Sequence, residues 1–235
     1  RDIIIEKPIF ISIQEVKQIY SLVNFNKNII LEGFMHRYTK LYIDFLKYWT
    51  NEKEKIVSIT STFYVPEIPK KTFRDKKDII SSCLYDMGCY GLSLINDMGL
   101  DLRKIKIDHF QEKSSRISKI CLKGMINNIS IEIKFGKNKN YENYVELVKE
   151  NNNKIKFFPF FYGRKASKSI QHSKNNDIKL EMIDDHNSFQ VMFNQNRNEL
   201  IASQKTRLKK ILIVTRKLEN LANELETIKA QKLIS

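Results

Sequence analysis

The chain has 235 residues, 42% of them hydrophobic and 11% aromatic, which is enough for a packed core and excludes global disorder. Its formal net charge is +14, yet the lysines are spread along the sequence with no nucleic-acid motif, so a solvated basic surface is expected and nucleic acid is not. No apolar run approaches the roughly 20 residues that cross a bilayer, so no membrane is expected.

Ile3-Ile4-Ile5 reads as a strand whose end carries Glu6-Lys7-Pro8. Ser12 and Glu15 have the spacing of a capping box, and the helix they start runs to about Asn24, burying Val16, Ile19, Tyr20 and Val23. Ile29 to Leu31 form a short strand, so residues 1–33 read as strand, loop, helix, strand. A second helix, from about Tyr38 to Thr50, places Leu41, Tyr42, Phe45, Leu46 and Trp49 on one face.

From Lys55 the period changes to two, with Val57, Ile59, Ser61, Phe63 and Val65 on one side of a strand that ends at Pro66. A charged loop from Glu67 to Asp78 leads to a helix from about Ile80 to Met98, stopped by Gly99. Alternation then predicts strands around Ile105 and Ile107, Ser118 to Leu122, Ile129 to Phe135, Val145 and Leu147, Ile155 and Phe157, and Ile178 to Met182. Turns at Gly124, Asn127-Asn128 and Asn151 to Asn153 are short, which makes neighbouring strands antiparallel. Helices must cover one apolar face of that sheet. The chain closes on one long helix, Ser188 to Lys232, with Ile211, Val214, Leu218, Leu221, Leu225 and Ile228 as a seam. That seam suits packing across the domain or a coiled coil.

Three cysteines, Cys83, Cys89 and Cys121, have no metal-like spacing and read as reduced thiols of a cytoplasmic protein. Asp184-Asp185-His186 reads as a turn, and His36, His109 and His172 as isolated, so no metal is expected.

A lysine at a strand end and a carboxylate–phenol pair four residues apart on a helix, Asp86 and Tyr90, make an acid–base constellation. Burial would lower the pKa of Lys7, and a nearby cation that of Tyr90.

The runs IIIEKPIFIS, ILEGFMHRY and FRDKKDIISSCLYDMGCYGLSLI, in this order, resemble the glucose–fructose oxidoreductase / inositol dehydrogenase (Gfo/Idh/MocA) family. The resemblance implies an α+β fold: an open, mostly antiparallel sheet covered by helices on one face, like the C-terminal domain of glyceraldehyde-3-phosphate dehydrogenase. The last βαβ part of a Rossmann domain would precede it. Residues 1–33 would be that remnant, and 34–235 the substrate-binding and oligomerisation domain with its long C-terminal helix. The implied activity is hydride transfer, with NAD or NADP, to or from a sugar, sugar nucleotide or cyclitol. The intact protein would form homo-oligomers through the open sheet face.

By the same resemblance Lys7 matches the motif lysine, and Asp86 and Tyr90 the family's D-x-x-x-H/Y pair, as catalytic residues. Glu6, Lys7, Pro8 and Arg37 would approach the cofactor, while Arg74, Tyr162 and Arg164 would meet the substrate. Two departures stand out. Ser81-Ser82 replace a Gly-Gly pair that often precedes the helix, and no G-x-G-x-x-G turn is present. A piece of a longer oxidoreductase, inactive by itself, is therefore expected. A non-catalytic binding or oligomerisation module of the same fold is the alternative, and a basic nucleic-acid-associated protein a weaker one.

Overall fold

The structure is a computed structural model that describes residues 2–22, 27–67, 82–113, 116–138, 140–174, 177–184 and 186–234. The chain begins with β1 (Ile3–Ile5), α1 (Ile13–Leu22) and β2 (Ile30–Glu32). The two strands pair in parallel, with Ile3 opposite Ile30. The capping box forms: Ser12 Oγ accepts from the Glu15 amide at 3.3 Å, and Glu15 Oε2 accepts from the Ile11 amide at 2.9 Å. Val16 is buried as expected, whereas Val23 lies outside the described residues.

A 3-10 turn over Met35–Tyr38 precedes α2 (Lys40–Glu52), which Thr39 caps by accepting from the Tyr42 amide. The second helix therefore starts two residues later than its hydrophobic pattern indicates, because Thr39 offers the better N-cap. Leu41, Tyr42, Phe45 and Trp49 are all buried.

The rest of the chain builds one large sheet from β3 (Ile56–Val65), β4 (Lys106–Lys113), β5 (Arg116–Ile126), β6 (Ile129–Lys137), β7 (Glu142–Lys149), β8 (Lys154–Phe158), β9 (Ser167–Lys174) and β10 (Asp177–Asp184). The order is β10-β9-β8-β7-β3-β6-β5-β4. Every pair is antiparallel except β3 with β6, which is parallel. Asn127 and Asn128, both at positive φ, make the tight β5–β6 turn, and Asn152 at φ 62 makes the β7–β8 turn.

Between β3 and β4 a π-turn over Leu84–Gly88 runs into α3 (Cys89–Asp97). Gly99, at φ +78, ends that helix, as its residue type foretells. Gly88 and Gly91 share the face of this helix that lies on β6. A Cβ at Gly91 would stand 2.4 Å from Ile133, and one at Gly88 2.7 Å from Phe135. Two missing side chains thus bring the helix down onto the sheet.

Three expectations are corrected. The closing helix is two, α4 (Ser188–Phe193) and α5 (Arg197–Ile234), because Asn187 caps the first and its end at Asn194 leaves a break before the second. Val57 is exposed rather than inward, since a bulge between Ile56 and Ser58 shifts the register. β9 went unread because its sequence, SKSIQHSK, has almost no apolar alternation.

α5 decides between the two uses of its seam. Leu208 and Ile211 pack with Ile9, Phe10, Val16 and Ile30, while Val214, Leu218, Leu221 and Leu225 join the main core against the sheet. The helix is an internal strut, and the seam is consumed within the chain. The opposite sheet face carries Lys123, Lys134, Lys156, Glu132 and Glu146, with exposed Ile178, Leu180 and Met182 on the edge strand β10. Among the described residues no helix is long and apolar enough to cross a membrane.

Candidate active site

The loop after β1 carries Lys7, and the peptide bond between Lys7 and Pro8 is cis. The Lys7 side chain reaches the π-turn, where its Nζ lies 2.9 Å from Asp86 Oδ1 and also donates to the Asp86 main-chain oxygen. The same ammonium stands 4.8 Å from the centre of the Tyr90 ring, within cation–π range. The sequence-predicted trio therefore converges on one place, from elements far apart in the chain. Asp86, which accepts twice, sits in the π-turn, a local widening common where helices serve function.

Protonation differs from the sequence-level expectation. Burial opposes the Lys7 ammonium, but Cys89, Tyr90 and Asp86 outweigh it and hold the pKa above the ordinary lysine range. Burial pushes the Tyr90 phenol up to about 12, and the opposing pull of Lys7 does not reverse this. At neutral pH the pair is an ammonium and a neutral phenol, two proton donors. The lowering expected for both groups fails for identifiable reasons: the partners of Lys7 exceed its desolvation, and the desolvation of Tyr90 exceeds its partner.

An aromatic box holds Tyr90. Its ring centre lies 5.2 Å from Phe34, 5.1 Å from His36, 5.1 Å from Phe63 and 5.5 Å from Phe161. His36, read from sequence as isolated, is fully buried, and neither ring nitrogen has a hydrogen-bond partner. Burial first, then Arg37, Lys168 and Lys7, depress its pKa well below the usual histidine value. Phe161 is fixed from behind: Asn143 Oδ1 accepts from the amides of Phe160 and Phe161 at 3.1 and 2.7 Å. Lys168, fully buried on β9, donates to the Tyr162 carbonyl at 2.6 Å. Sequence reasoning took His36 as isolated and did not show that Lys168 is fully buried. The one available signal was the Phe160-Phe161-Tyr162 cluster itself.

The other expected site residues fare differently. Arg37 is held inside a network, with Nε 2.9 Å from Asp97 Oδ2 and NH2 3.0 Å from Ser93 Oγ. Its NH1 lies 3.6 Å from Glu32 Oε2. Lys210 also pairs with Asp97, at 3.0 Å, and Tyr42 donates to it at 2.7 Å. A cavity of about 250 Å³ adjoins this network, lined among others by Tyr38, Arg207 and Ile211. Arg164 is exposed on the loop after Tyr162, itself half-buried, and Arg74 lies outside the described residues. The basic group Arg207, Lys209 and Lys210 is no open stripe, since Lys210 serves Asp97 and Arg207 bonds to Gln204 and the Leu200 carbonyl.

No family model matches the sequence, and no curated protein matches it. Solved structures do. A 3-ketoreductase from Actinomadura kijaniata, in complex with NADP and TDP-benzene, superposes with a TM-score of 0.75 at 12% identity, over 93% of this chain and 69% of that one. An aldose-aldose oxidoreductase from Caulobacter crescentus, complexed with glycerol, gives 0.76 at 11% identity, over 95% and 70%. A Gfo/Idh/MocA family oxidoreductase from Vibrio cholerae gives 0.70 at 14% identity, over 99% and 71%. The chain has the fold of the Gfo/Idh/MocA oxidoreductases. The expected α+β architecture, with its mostly antiparallel sheet and helices on one face, is thereby shown.

Proposed function

We propose that this chain supplies the proton-donating half of a nicotinamide-dependent oxidoreductase that reduces a keto group on a sugar, sugar nucleotide or cyclitol. The observation that carries the reading is the convergence of Lys7 on Asp86 and Tyr90. It is supported by the matched ketoreductase, which was also solved with a lysine replaced and with a tyrosine replaced, in complex with NADP and TDP-benzene. Those two residues stand nearly as far apart in that sequence as Lys7 and Tyr90 do here.

The cofactor, NAD or NADP, supplies the hydride that goes to the carbonyl carbon. Lys7 and Tyr90 act at the carbonyl oxygen: the ammonium polarises it by a charge-assisted hydrogen bond, and a proton passes to it from the phenol. Asp86 anchors Lys7 in reach of the ring. The apolar box around Tyr90 keeps water from the phenol. In the reverse direction the hydroxyl proton returns to the Tyr90 oxygen.

Glu6 and Pro8, which flank Lys7, suit with it the reactive end of such a cofactor. The 235 residues contain no G-x-G-x-x-G turn, so we assign the pyrophosphate contacts to chain outside them. The parallel β1–β2 pair, with Ile3 and Ile4 exposed, suits the end of a longer parallel sheet, because such strands are ordinarily covered on both faces. Residues 1–33 are then the close of a dinucleotide-binding domain. The exposed Ile178, Leu180 and Met182 suit contact with a second copy.

Fluorescence titration of NADPH and NADH with the intact protein tests the reading, followed by turnover of keto sugars and nucleoside-diphosphate keto sugars. Saturable binding is expected, and its absence overturns the proposal. Residues 1–235 alone are expected to give no turnover; full activity from them would refute the assignment of the pyrophosphate contacts.

A further inference from the structure

The open sheet face holds a second cluster, remote in chemistry from the Lys7 site. In β4 the pairing with β5 slips between Ile107 and His109, so Asp108 is the extra residue of a bulge. His109 stands directly opposite Cys121. The bulge turns two successive side chains to the same face of the sheet, where strict alternation would turn only one. As a result Asp108, His109 and Cys121 bring one ligand-type atom each to within 4.8 Å of one another. Asp108 Oδ2 and His109 Nδ1 are 2.8 Å apart. Glu132, on β6, comes from the other side, with Oε1 3.8 Å from Cys121 Sγ.

A positive charge already stands among these groups. Lys123 Nζ lies 3.0 Å from Asp108 Oδ2 and 3.8 Å from Glu132 Oε1. Its side chain is 51% exposed and is free to swing into water. The second oxygen of Glu132 is held by Lys134 at 2.8 Å. The carboxylates are thus arranged around a cation that can leave.

We infer that Asp108, His109 and Cys121, with Glu132 as fourth donor, form a binding site for a divalent transition-metal ion of the zinc class. One sulfur, one imidazole nitrogen and two carboxylate oxygens suit Zn²⁺, whose sites mix these donors. Mg²⁺ and Ca²⁺ prefer oxygen alone. On binding, Lys123 withdraws to solvent and the Cys121 thiol gives up its proton to become a thiolate ligand. No electron transfer is involved. Sequence spacing did not reveal the site, because the donors are joined by strand register and a bulge.

Titration of the reduced full chain with Co²⁺, the spectroscopic stand-in for Zn²⁺, tests the site. One equivalent should give tetrahedral d–d bands with a sulfur-to-metal charge-transfer band, both abolished by one equivalent of Zn²⁺. Cys121→Ser should remove the charge-transfer band, and His109→Ala should weaken binding at least tenfold. Lys123→Ala removes a competing charge on an exposed side chain and should tighten binding. Cys83 and Cys89 remain as internal controls, since both are buried in the helix over the opposite face. A wild-type chain with no charge-transfer band, or a band that survives in Cys121→Ser, would overturn the inference.

Discussion

Lys7 and Asp86, 79 positions apart in the sequence, form a 2.9 Å ion pair whose two side chains are only about one-tenth exposed. A lysine that needed only solvation would not be turned inward onto a helix. Its placement costs desolvation, and Asp86 offsets that cost while leaving the ammonium against the Tyr90 ring. Tyr90→Phe, which removes one oxygen and leaves the aromatic box intact, should lower kcat by about 10²- to 10⁴-fold with little change in KM. Lys7→Ala should fall in the same range. Steady-state kinetics of the intact protein decide it: a Tyr90→Phe enzyme with wild-type kcat removes the phenol from the mechanism.

Raised pKa values make the fold sensitive to alkali. Cys83 and Cys89 are pushed by burial from 9.0 to about 12. The folded state therefore keeps protons that the unfolded chain loses above pH 9, so stability is intact below that value and falls as pH rises towards 12. Tyr90 adds to the loss from one unit higher. Each thiol contributes about 1 kcal/mol of loss between pH 8 and 10. Urea midpoints at the two pH values should show it, and the Cys83→Ala/Cys89→Ala protein should be markedly flatter. Equal slopes would show that these thiols do not set the alkaline limb.

His36 acts in the opposite direction. Its pKa is depressed, so the folded state binds fewer protons than the unfolded chain once pH drops below about 6.5. The contribution is complete above that value and is lost as pH falls. His36→Phe keeps a ring in the box and removes the titration. Thermal melts at pH 7 and pH 5 should therefore diverge less in the variant than in the wild type, and a divergence of the same size would place the acid sensitivity elsewhere.

Periodicity revealed most of this fold because the core follows it. Ile129, Ile131, Ile133 and Phe135 alternate in sequence and all point to the helices in the sheet. The resemblance carried by three short runs singled out Lys7, Asp86 and Tyr90, and the fold brings these three side chains together. Other features are made by tertiary relations that no local pattern encodes. β9 is recruited by its neighbours on either side, despite a polar sequence. His36 joins the box around Tyr90 through ring packing, while carboxylates from β2 and α3 hold Arg37 in a network of its own. The Asp108–His109–Cys121 cluster depends on a one-residue slip between strands. The shifts of Lys7 and Tyr90 were misjudged in sign because they depend on the balance of burial against neighbours, and that balance exists only once the chain is folded.

The position of Tyr90 itself rests on its neighbour Gly91. At this point α3 is so close to β6 that a Cβ would overlap Ile133 Cγ2, at 2.4 Å. Gly91→Ala should gain helix propensity of somewhat under about 1 kcal/mol but lose more to overpacking, about 1–3 kcal/mol. Net destabilisation is expected, together with a lift of α3 that carries Tyr90 off Lys7. Ile133→Ala removes the opposing methyl. It destabilises by itself through a cavity, yet in combination with Gly91→Ala it should cost less than the two changes added separately. Chemical denaturation of the four proteins measures that difference. An additive cycle would mean that the helix tolerates a side chain here, and that the close approach of Gly91 to the sheet is not what holds Tyr90 in place.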